Sequence, residues 1–191
     1  VHLIPATFKN PSDALSMYDL SRSGKLIFES LFNGMARERP VPNVDGVYFP
    51  DYKCEEHDYE HLQIFNNGTV ELRMDLYVHE INKNNLHLKT EHWLDMLEFW
   101  EELQKLIDDT SEMYTILNRA VPMYICVTIC GCKGLWNYET NLLRSNTPTK
   151  VDRNEIVCTP IEISNILDDE QCARRKEDCV RMTKYALGIR K

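Results

Sequence analysis

The stretch that decides the fold is residues 62–74, which read LQIFNNGTVELRM. Apolar and polar residues alternate on both sides of Asn67-Gly68, as expected for two half-buried strands. Asn and Gly tolerate the positive φ angles that a tight turn requires. The sequence therefore predicts a β-hairpin over residues 61–75 that closes with a two-residue turn.

Four other segments of the chain are predicted to be helices. A stripe of apolar residues predicts an amphipathic helix from about Glu91, and it contains Trp93, Leu94, Leu97, Trp100, Leu103, Leu106 and Ile107. Thr110 or Ser111 would cap a separate helix that runs to about Arg119. Further helices are predicted over residues 24–36 and from Asp168 or Asp169 to about Leu187.

The remaining segments are strands and loops. Met123 to Cys130 is predicted as a hydrophobic strand, and residues 155–163 as another, in which Pro160 favours an edge or a bulge. Residues 40–50 and 137–154 carry loop-forming Pro, Asn and Thr. This order of elements predicts an α+β protein, with a mainly antiparallel sheet of about four strands covered by amphipathic helices.

Composition and charge restrict the class of protein. The 191 residues are 43% apolar and 27% charged with a net charge of −8, which is typical of a single globular domain over residues 1–191. Because the chain begins with Val1 and not with Met, a fragment of a longer chain is the alternative. The negative charge argues against direct nucleic-acid binding. The last helix interleaves its basic residues with acids, which indicates a solvated face and not a basic docking patch.

The seven cysteines and the absence of a long apolar run bear on the compartment. No segment is long and apolar enough to predict a membrane span or a signal peptide. An odd number of cysteines without the spacing of a disulfide scaffold predicts reduced thiols in the cytoplasm.

Three of these cysteines, Cys126, Cys130 and Cys132, crowd into one strand region and raise the question of a metal site. In an extended strand, Cys126 and Cys130 share a face but lie about 13 Å apart. Two thiolates on one zinc ion have sulfurs less than about 4 Å apart. Gly131 could bend Cys130 toward Cys132, yet no second ligand pair follows. We therefore expect buried strand thiols, and no metal.

A sharper motif is His57-x-x-Glu60-His61, which fits the pattern of inverted zinc peptidases. In that pattern His57 and His61 bind zinc from one helical face, and Glu60 acts as general base. The hairpin strand begins directly afterwards, and no single carboxylate stands out as a third ligand. A zinc-dependent hydrolase is therefore the alternative function, with zinc as its cofactor.

Two segments carry a family resemblance. The hairpin LQIFNNGTVEL and the later strand VTICGCKGL (residues 127–135) resemble the carboxy-terminal region of bacterial AlbA-like or Schlafen-like DNA-binding regulators. Phe65, Gly68, Val70 and Glu71 follow the order of that family's strand pair. The similarity covers about residues 60–165. It implies a companion module of a larger regulator, a module that need not contact DNA itself, and it implies no catalytic residue.

The sequence contains no signature of a common cofactor or nucleophile. We find no Gly-rich phosphate loop, dinucleotide fingerprint, Gly-x-Ser-x-Gly elbow or EF-hand loop, and no residue pattern requires a cofactor. The main hypothesis is a non-catalytic ligand-binding or protein-interaction module, part of a larger bacterial regulator. The identity of the ligand or partner and the oligomeric state are left open.

Overall fold

A computed structural model describes residues 1–10, 14–15, 41–49, 61–76, 78–81, 91–117, 122–138 and 150–189. The helix predicted over residues 24–36 lies outside these ranges. The described residues form an α+β structure with two helices, α1 (Leu97–Ile116) and α2 (Asp169–Ala186).

Twelve short strands occur in the described residues. They are β1 (His2–Pro5), β2 (Val41–Asn43), β3 (Gly46–Phe49), β4 (His61–Phe65), β5 (Val70–Arg73), β6 (Val78–Ile81), β7 (Glu91–Asp95), β8 (Met123–Cys126), β9 (Thr128–Cys130), β10 (Trp136–Tyr138), β11 (Glu155–Val157) and β12 (Ile161–Ile163).

Seven of these strands form one antiparallel sheet, in the order β12-β8-β1-β5-β4-β3-β2. A three-stranded sheet has the order β10-β7-β6, with β10 parallel to β7, and β9 pairs with β11 in a two-stranded ribbon. The mainly antiparallel sheet was predicted correctly, but the prediction of about four strands was too low. Strands of three to five residues are too short to give a clear alternating pattern.

The central hairpin consists of β4 and β5, as predicted. Its loop has three residues and not two, because Ile64 pairs with Val70 and the Phe65 amide donates to the Thr69 carbonyl at 2.8 Å. Gly68 has a φ of +87°, the left-handed conformation that ends such loops. The positive φ predicted for Gly68 is therefore confirmed, whereas the loop is one residue longer than predicted.

A second hairpin, β2–β3, occupies residues 41–49, where a loop was predicted. Pro42 is accommodated because β2 is the outermost described strand of the large sheet, where a missing amide proton costs little. The Asn43 side chain accepts a hydrogen bond from the Asp45 amide at 3.0 Å and shapes the turn. Proline and asparagine in this segment mark a hairpin on the sheet edge.

Helix α1 differs from its prediction at both ends. Residues 91–95 form β7, which pairs on both sides, so the helix begins at Leu97 and not at Glu91. The helix then continues to Ile116 without the predicted break. The Ser111 hydroxyl donates to the Ile107 carbonyl at 2.8 Å, so it bonds within the helix and does not cap a new one.

Helix α1 is held in the fold by its buried apolar face and by a hydrogen bond to the hairpin loop. Leu103, Leu106 and Ile107 are at most 1% exposed, and burial of each such side chain contributes roughly 2 kcal/mol. Near the end of the helix the buried Tyr114 hydroxyl donates to the Gly68 carbonyl at 2.6 Å. The helix therefore has both an apolar and a polar attachment to the rest of the fold.

Helix α2 was predicted correctly, including its start. The Asp168 carboxylate accepts a hydrogen bond from the Gln171 amide at 3.0 Å and caps the helix. The buried residues of α2 are Cys172, Cys179 and Thr183. The helix packs on β12 and touches α1.

A bulge interrupts the long ladder formed by β8–β9 and β11–β12. Thr128 pairs with Val157, whereas Ile125 pairs with Ile161. The interval of three residues from Ile125 to Thr128 therefore lies opposite an interval of four residues from Val157 to Ile161. The second strand thus has one extra residue between Val157 and Ile161. Pro160 lies in this bulge, as its position in the sequence predicted.

Helix α1 also contains a partly buried carboxylate, Asp109. Burial raises its pKa from 3.8 to about 6; Asp108, Glu112 and Glu102 add to the rise, and Lys105 opposes it. One of its carboxylate oxygens is buried and has no hydrogen-bond partner in the described part of the chain. The ionised form of this side chain is therefore unfavourable in the folded protein.

We expect Gly46→Ala to destabilise the protein by on the order of 3 kcal/mol. Gly46 has a φ of +151°, and a Cβ atom there would overlap the Ile64 carbonyl oxygen of the paired strand β4. Urea unfolding followed by circular dichroism measures the loss. The control is Gly134→Ala, which also has a positive φ but no described atom within 4 Å, and should cost only about 1 kcal/mol. Equal losses would contradict the steric explanation.

We expect Asp109→Asn to become more stable relative to the unchanged protein as pH rises from about 4 to about 6. The folded pKa of Asp109 lies above its unfolded value, so ionisation in this window costs the folded state stability. The gain should reach about 1 to 2 kcal/mol above pH 6. Thermal unfolding across this pH range tests it, with the exposed Glu101→Gln as control. A difference independent of pH would refute it.

Candidate functional site

A cavity of about 670 Å³ in the described part of the chain suggests a binding site. It lies where the ends of β1 and β5 meet the three-stranded sheet and the turn after β9. Its apolar base consists of residues at most 3% exposed, namely Leu72, Leu94, Phe99, Ile129 and Cys132. Its polar rim consists of His2, Glu71, Arg73, Asp75, Thr128 and Cys130.

Strand pairing positions the rim. His2 of β1 lies opposite Glu71 of β5, and Val1 extends the ladder by exchanging hydrogen bonds of 2.7 and 2.9 Å with Leu72. Successive side chains of a strand point to opposite faces, so Glu71 and Arg73 share one face and buried Leu72 takes the other. The end of β5 therefore contributes to both the base and the rim.

One contact in the rim joins His2 and Glu71. The His2 Nδ1 atom lies 3.5 Å from the Glu71 Oε2 atom, and the two side chains are 45% and 27% exposed. Burial lowers the pKa of His2 below 6.5, although the Glu71 carboxylate opposes this shift. The imidazole is therefore mostly neutral at pH 7.

The turn after β9 forms one wall of the cavity. Gly131 adopts a φ of +74°, and its amide donates to the Asn154 carbonyl at 2.8 Å. The Cys132 thiol contacts the Arg153 carbonyl at 3.3 Å, and the Val151 amide donates to the Leu135 carbonyl at 2.9 Å. Residues 151–154 thus hold this wall in place.

The three clustered cysteines differ in exposure. The predicted alternation is correct, since Ile125, Val127 and Ile129 are buried, while Cys126 is half-buried and Cys130 exposed. The expectation of buried strand thiols was therefore wrong for Cys130 and only partly right for Cys126, because both lie on the outward face of the strand. Cys132, beyond the strand, is buried.

The remaining described thiols are buried and free. Burial raises the pKa of Cys172 despite nearby Lys176, and it raises the pKa of Cys179 to about 12. The Cys158 thiol lies 3.7 Å from the Thr183 hydroxyl. The Cys172 thiol lies 3.6 Å from the Ile166 carbonyl, in the loop before α2. None of these cysteines has the lowered pKa that an activated thiol requires.

The structure describes only part of the predicted zinc motif. His61 is the first residue of β4 and pairs with Arg73, whereas His57 and Glu60 lie outside the described residues. No group of three or more His, Cys, Asp or Glu side chains within the described ranges could hold a metal ion. The zinc hypothesis on His57, Glu60 and His61 therefore remains a prediction.

The basic residues of α2 lie beside acids. Arg174 pairs with Glu170, and Arg175 and Arg181 both pair with Asp178. Lys176 reaches Asp108 of α1 at 2.6 Å. This pairing favours the solvated face predicted from the sequence, and nucleic-acid binding remains untested. Neither described helix has the length and apolar character that crossing a membrane would require.

Comparison with known proteins adds no relatives. No family model, no curated protein and no solved structure matches this chain. The resemblance to AlbA-like or Schlafen-like regulators therefore remains a prediction.

The sequence did not reveal the cavity. Its lining comes from four separated parts of the chain, and no local motif links them. These parts are residues 1–2, residues 71–76 with Val78, Leu94 with Phe99, and residues 128–132 with Leu135. Only Cys130 and Cys132 had been considered as site residues, and only as metal ligands. Glu71 had been named only as part of the family resemblance and not as a site residue. Strand pairing between β1 and β5 was the missing information.

We expect iodoacetamide to modify Cys130 in the folded protein while Cys179 stays unmodified. Cys130 is exposed on the cavity rim, whereas Cys179 is 2% exposed and burial raises its pKa to about 12. Peptide mass spectrometry after a timed reaction at pH 8 measures both. In denaturant both thiols should react, which provides the control. Equal modification of the folded protein would contradict the described packing.

Proposed function

We propose that this chain is a non-catalytic ligand-binding module whose small-molecule ligand occupies the cavity. The observation that carries the proposal is the combination of a buried apolar base with a polar rim around a volume of about 670 Å³. Ligand sites commonly have volumes of about 300 to 1,000 Å³ and combine apolar walls with a few polar groups. The expected ligand is therefore amphipathic.

The rim offers recognition without an evident catalytic set. Its thiol, Cys130, its imidazole, His2, and its carboxylates stand on separate elements, and the His2 Nδ1 atom lies 3.5 Å from the Glu71 carboxylate. That arrangement suits hydrogen bonding to a ligand. Together with the family resemblance, it supports a sensing role within a larger bacterial regulator.

We expect substitutions that fill the cavity to abolish ligand binding. Leu76 and Leu135 line the cavity and are half-buried, so Leu76→Trp or Leu135→Trp should occupy the space with little loss of core packing. The unchanged protein should bind members of a library of small amphipathic compounds in saturation-transfer NMR. A compound present at about 100 times its Kd should add roughly 2.7 kcal/mol of stability.

The matched control is Val157→Trp, which adds the same side chain at a position that is 69% exposed and outside the cavity lining. This variant should bind as the unchanged protein does. Binding that survives both cavity-filling variants, or a library in which no compound binds, would overturn the proposal.

A further inference from the structure

Two thiols line the same cavity and are separated by a single glycine. Cys130 is the last residue of β9 and is exposed, whereas Cys132 lies beyond the strand and is 1% exposed. Both residues belong to the cavity lining. A reagent that arrives from solution therefore meets Cys130 before it meets Cys132.

The backbone between the two thiols keeps them close together. Gly131 has a φ of +74° and lies in a bend directly after the last paired residue of β9. Residues two apart have Cα atoms no more than about 7 Å apart, and a disulfide requires a Cα spacing of about 4.4 to 6.8 Å. The bend shortens the spacing of Cys130 and Cys132 below its extended limit. A Cβ atom at Gly131 would meet no atom within 4 Å, so the turn also has room to adjust.

The surroundings of Cys132 suit it to react second. Its thiol donates to the Arg153 carbonyl at 3.3 Å and lies 3.8 Å from the Asn154 carbonyl. A thiol is a weak donor, so little is lost when these contacts break. Burial raises the pKa of Cys132, and the nearby Cys130 adds to the rise. Cys132 thus stays a protonated, shielded thiol until a reaction at Cys130 brings a sulfur electrophile next to it.

We propose that Cys130 and Cys132 form a thiol–disulfide exchange site for low-molecular-weight disulfides. In the first step the Cys130 thiolate attacks one sulfur of the small disulfide, so that a mixed disulfide forms on Cys130 and one small thiolate leaves. In the second step Cys132 gives its proton to solvent and its sulfur attacks the Cys130 sulfur. The Cys130–Cys132 disulfide forms, and the second small thiolate leaves.

The two steps balance. The two protein thiols are oxidised to one disulfide, and the small disulfide is reduced to two thiols, which take up the two protons that the protein releases. The exchange is stoichiometric and does not depend on the ligand proposed above, because its chemistry needs only the two cysteines and the reagent.

The test treats the reduced full chain with oxidised glutathione at pH 8. Tandem mass spectrometry of the tryptic peptide that spans residues 120–133, which contains Cys126, Cys130 and Cys132, gives the products. In the unchanged protein this peptide should lose two hydrogen atoms, and Cys130 and Cys132 should both resist alkylation. Glutathione that stays attached to Cys130 while Cys132 remains alkylatable would overturn the proposal, and so would the absence of any reaction.

Three variants assign the order of the steps. Cys132→Ser should stop the reaction at the mixed disulfide, so that glutathione accumulates on Cys130. Cys130→Ser should leave Cys132 unmodified, because Cys132 is shielded from the reagent. The matched control is Cys126→Ser, which removes a half-buried thiol from the same tryptic peptide and should still form the internal disulfide.

The control also provides the sharpest contrary outcome. If Cys126→Ser abolishes the internal disulfide, or if Cys130→Ser reacts as the unchanged protein does, the assignment to Cys130 and Cys132 is wrong. Circular dichroism checks the fold of each variant. If the buried substitution Cys132→Ser prevents folding, the spectra of the unchanged protein and of Cys126→Ser still decide, because they locate the disulfide directly.

Discussion

The pairing of β1 with two neighbours holds the large sheet together. β1 hydrogen-bonds to β5 on one side and to β8 on the other, and in the strand order it is the connection between the two halves of the sheet. Leu3 in its centre is fully buried, and the Ala6 amide extends the ladder to the Pro122 carbonyl at 2.8 Å. Four residues near the start of the chain thus join segments more than 50 residues apart. The same strand brings His2 to the cavity.

The three-residue loop of the central hairpin is a second point on which the packing depends. The Asn66 side chain donates to the Val44 carbonyl at 3.0 Å, and the Asn66 backbone amide donates to the Asp45 carbonyl at 2.7 Å. Tyr114 reaches the same loop from α1 through Gly68. Burial raises the pKa of Tyr114, so its hydroxyl remains a donor throughout the physiological range. The loop therefore fixes the β2–β3 hairpin and helix α1 at once.

Sequence patterns correctly predicted the elements that are determined by residues close together in the chain. The alternation around Asn67-Gly68, the Asp168 cap and the Pro160 bulge each depend on residues close in sequence, and each is present. The first residues, which form β1, show no strand pattern in the sequence. A four-residue strand between two others is stabilised by pairing with those neighbours, and the local sequence does not reveal that pairing. Residues 91–95 matched a helical stripe but form β7, because pairing with β6 and β10 overrides the spacing. The cavity was hidden for the same reason, since it depends on tertiary pairing.

The cavity draws its walls from β1, β5, β7, α1 and the turn after β9, so it exists only when all three sheets are assembled. A ligand there would bind the folded chain and not the unfolded one, and it would stabilise the assembly as a whole. The alternation that buries Ile125, Val127 and Ile129 also turns Cys130 outward to the rim. The buried core and the polar rim of the cavity thus come from opposite faces of the same strands. If the cavity holds a ligand as proposed, a substitution on the outward face should change its binding while leaving the packed face, and most of the stability, intact.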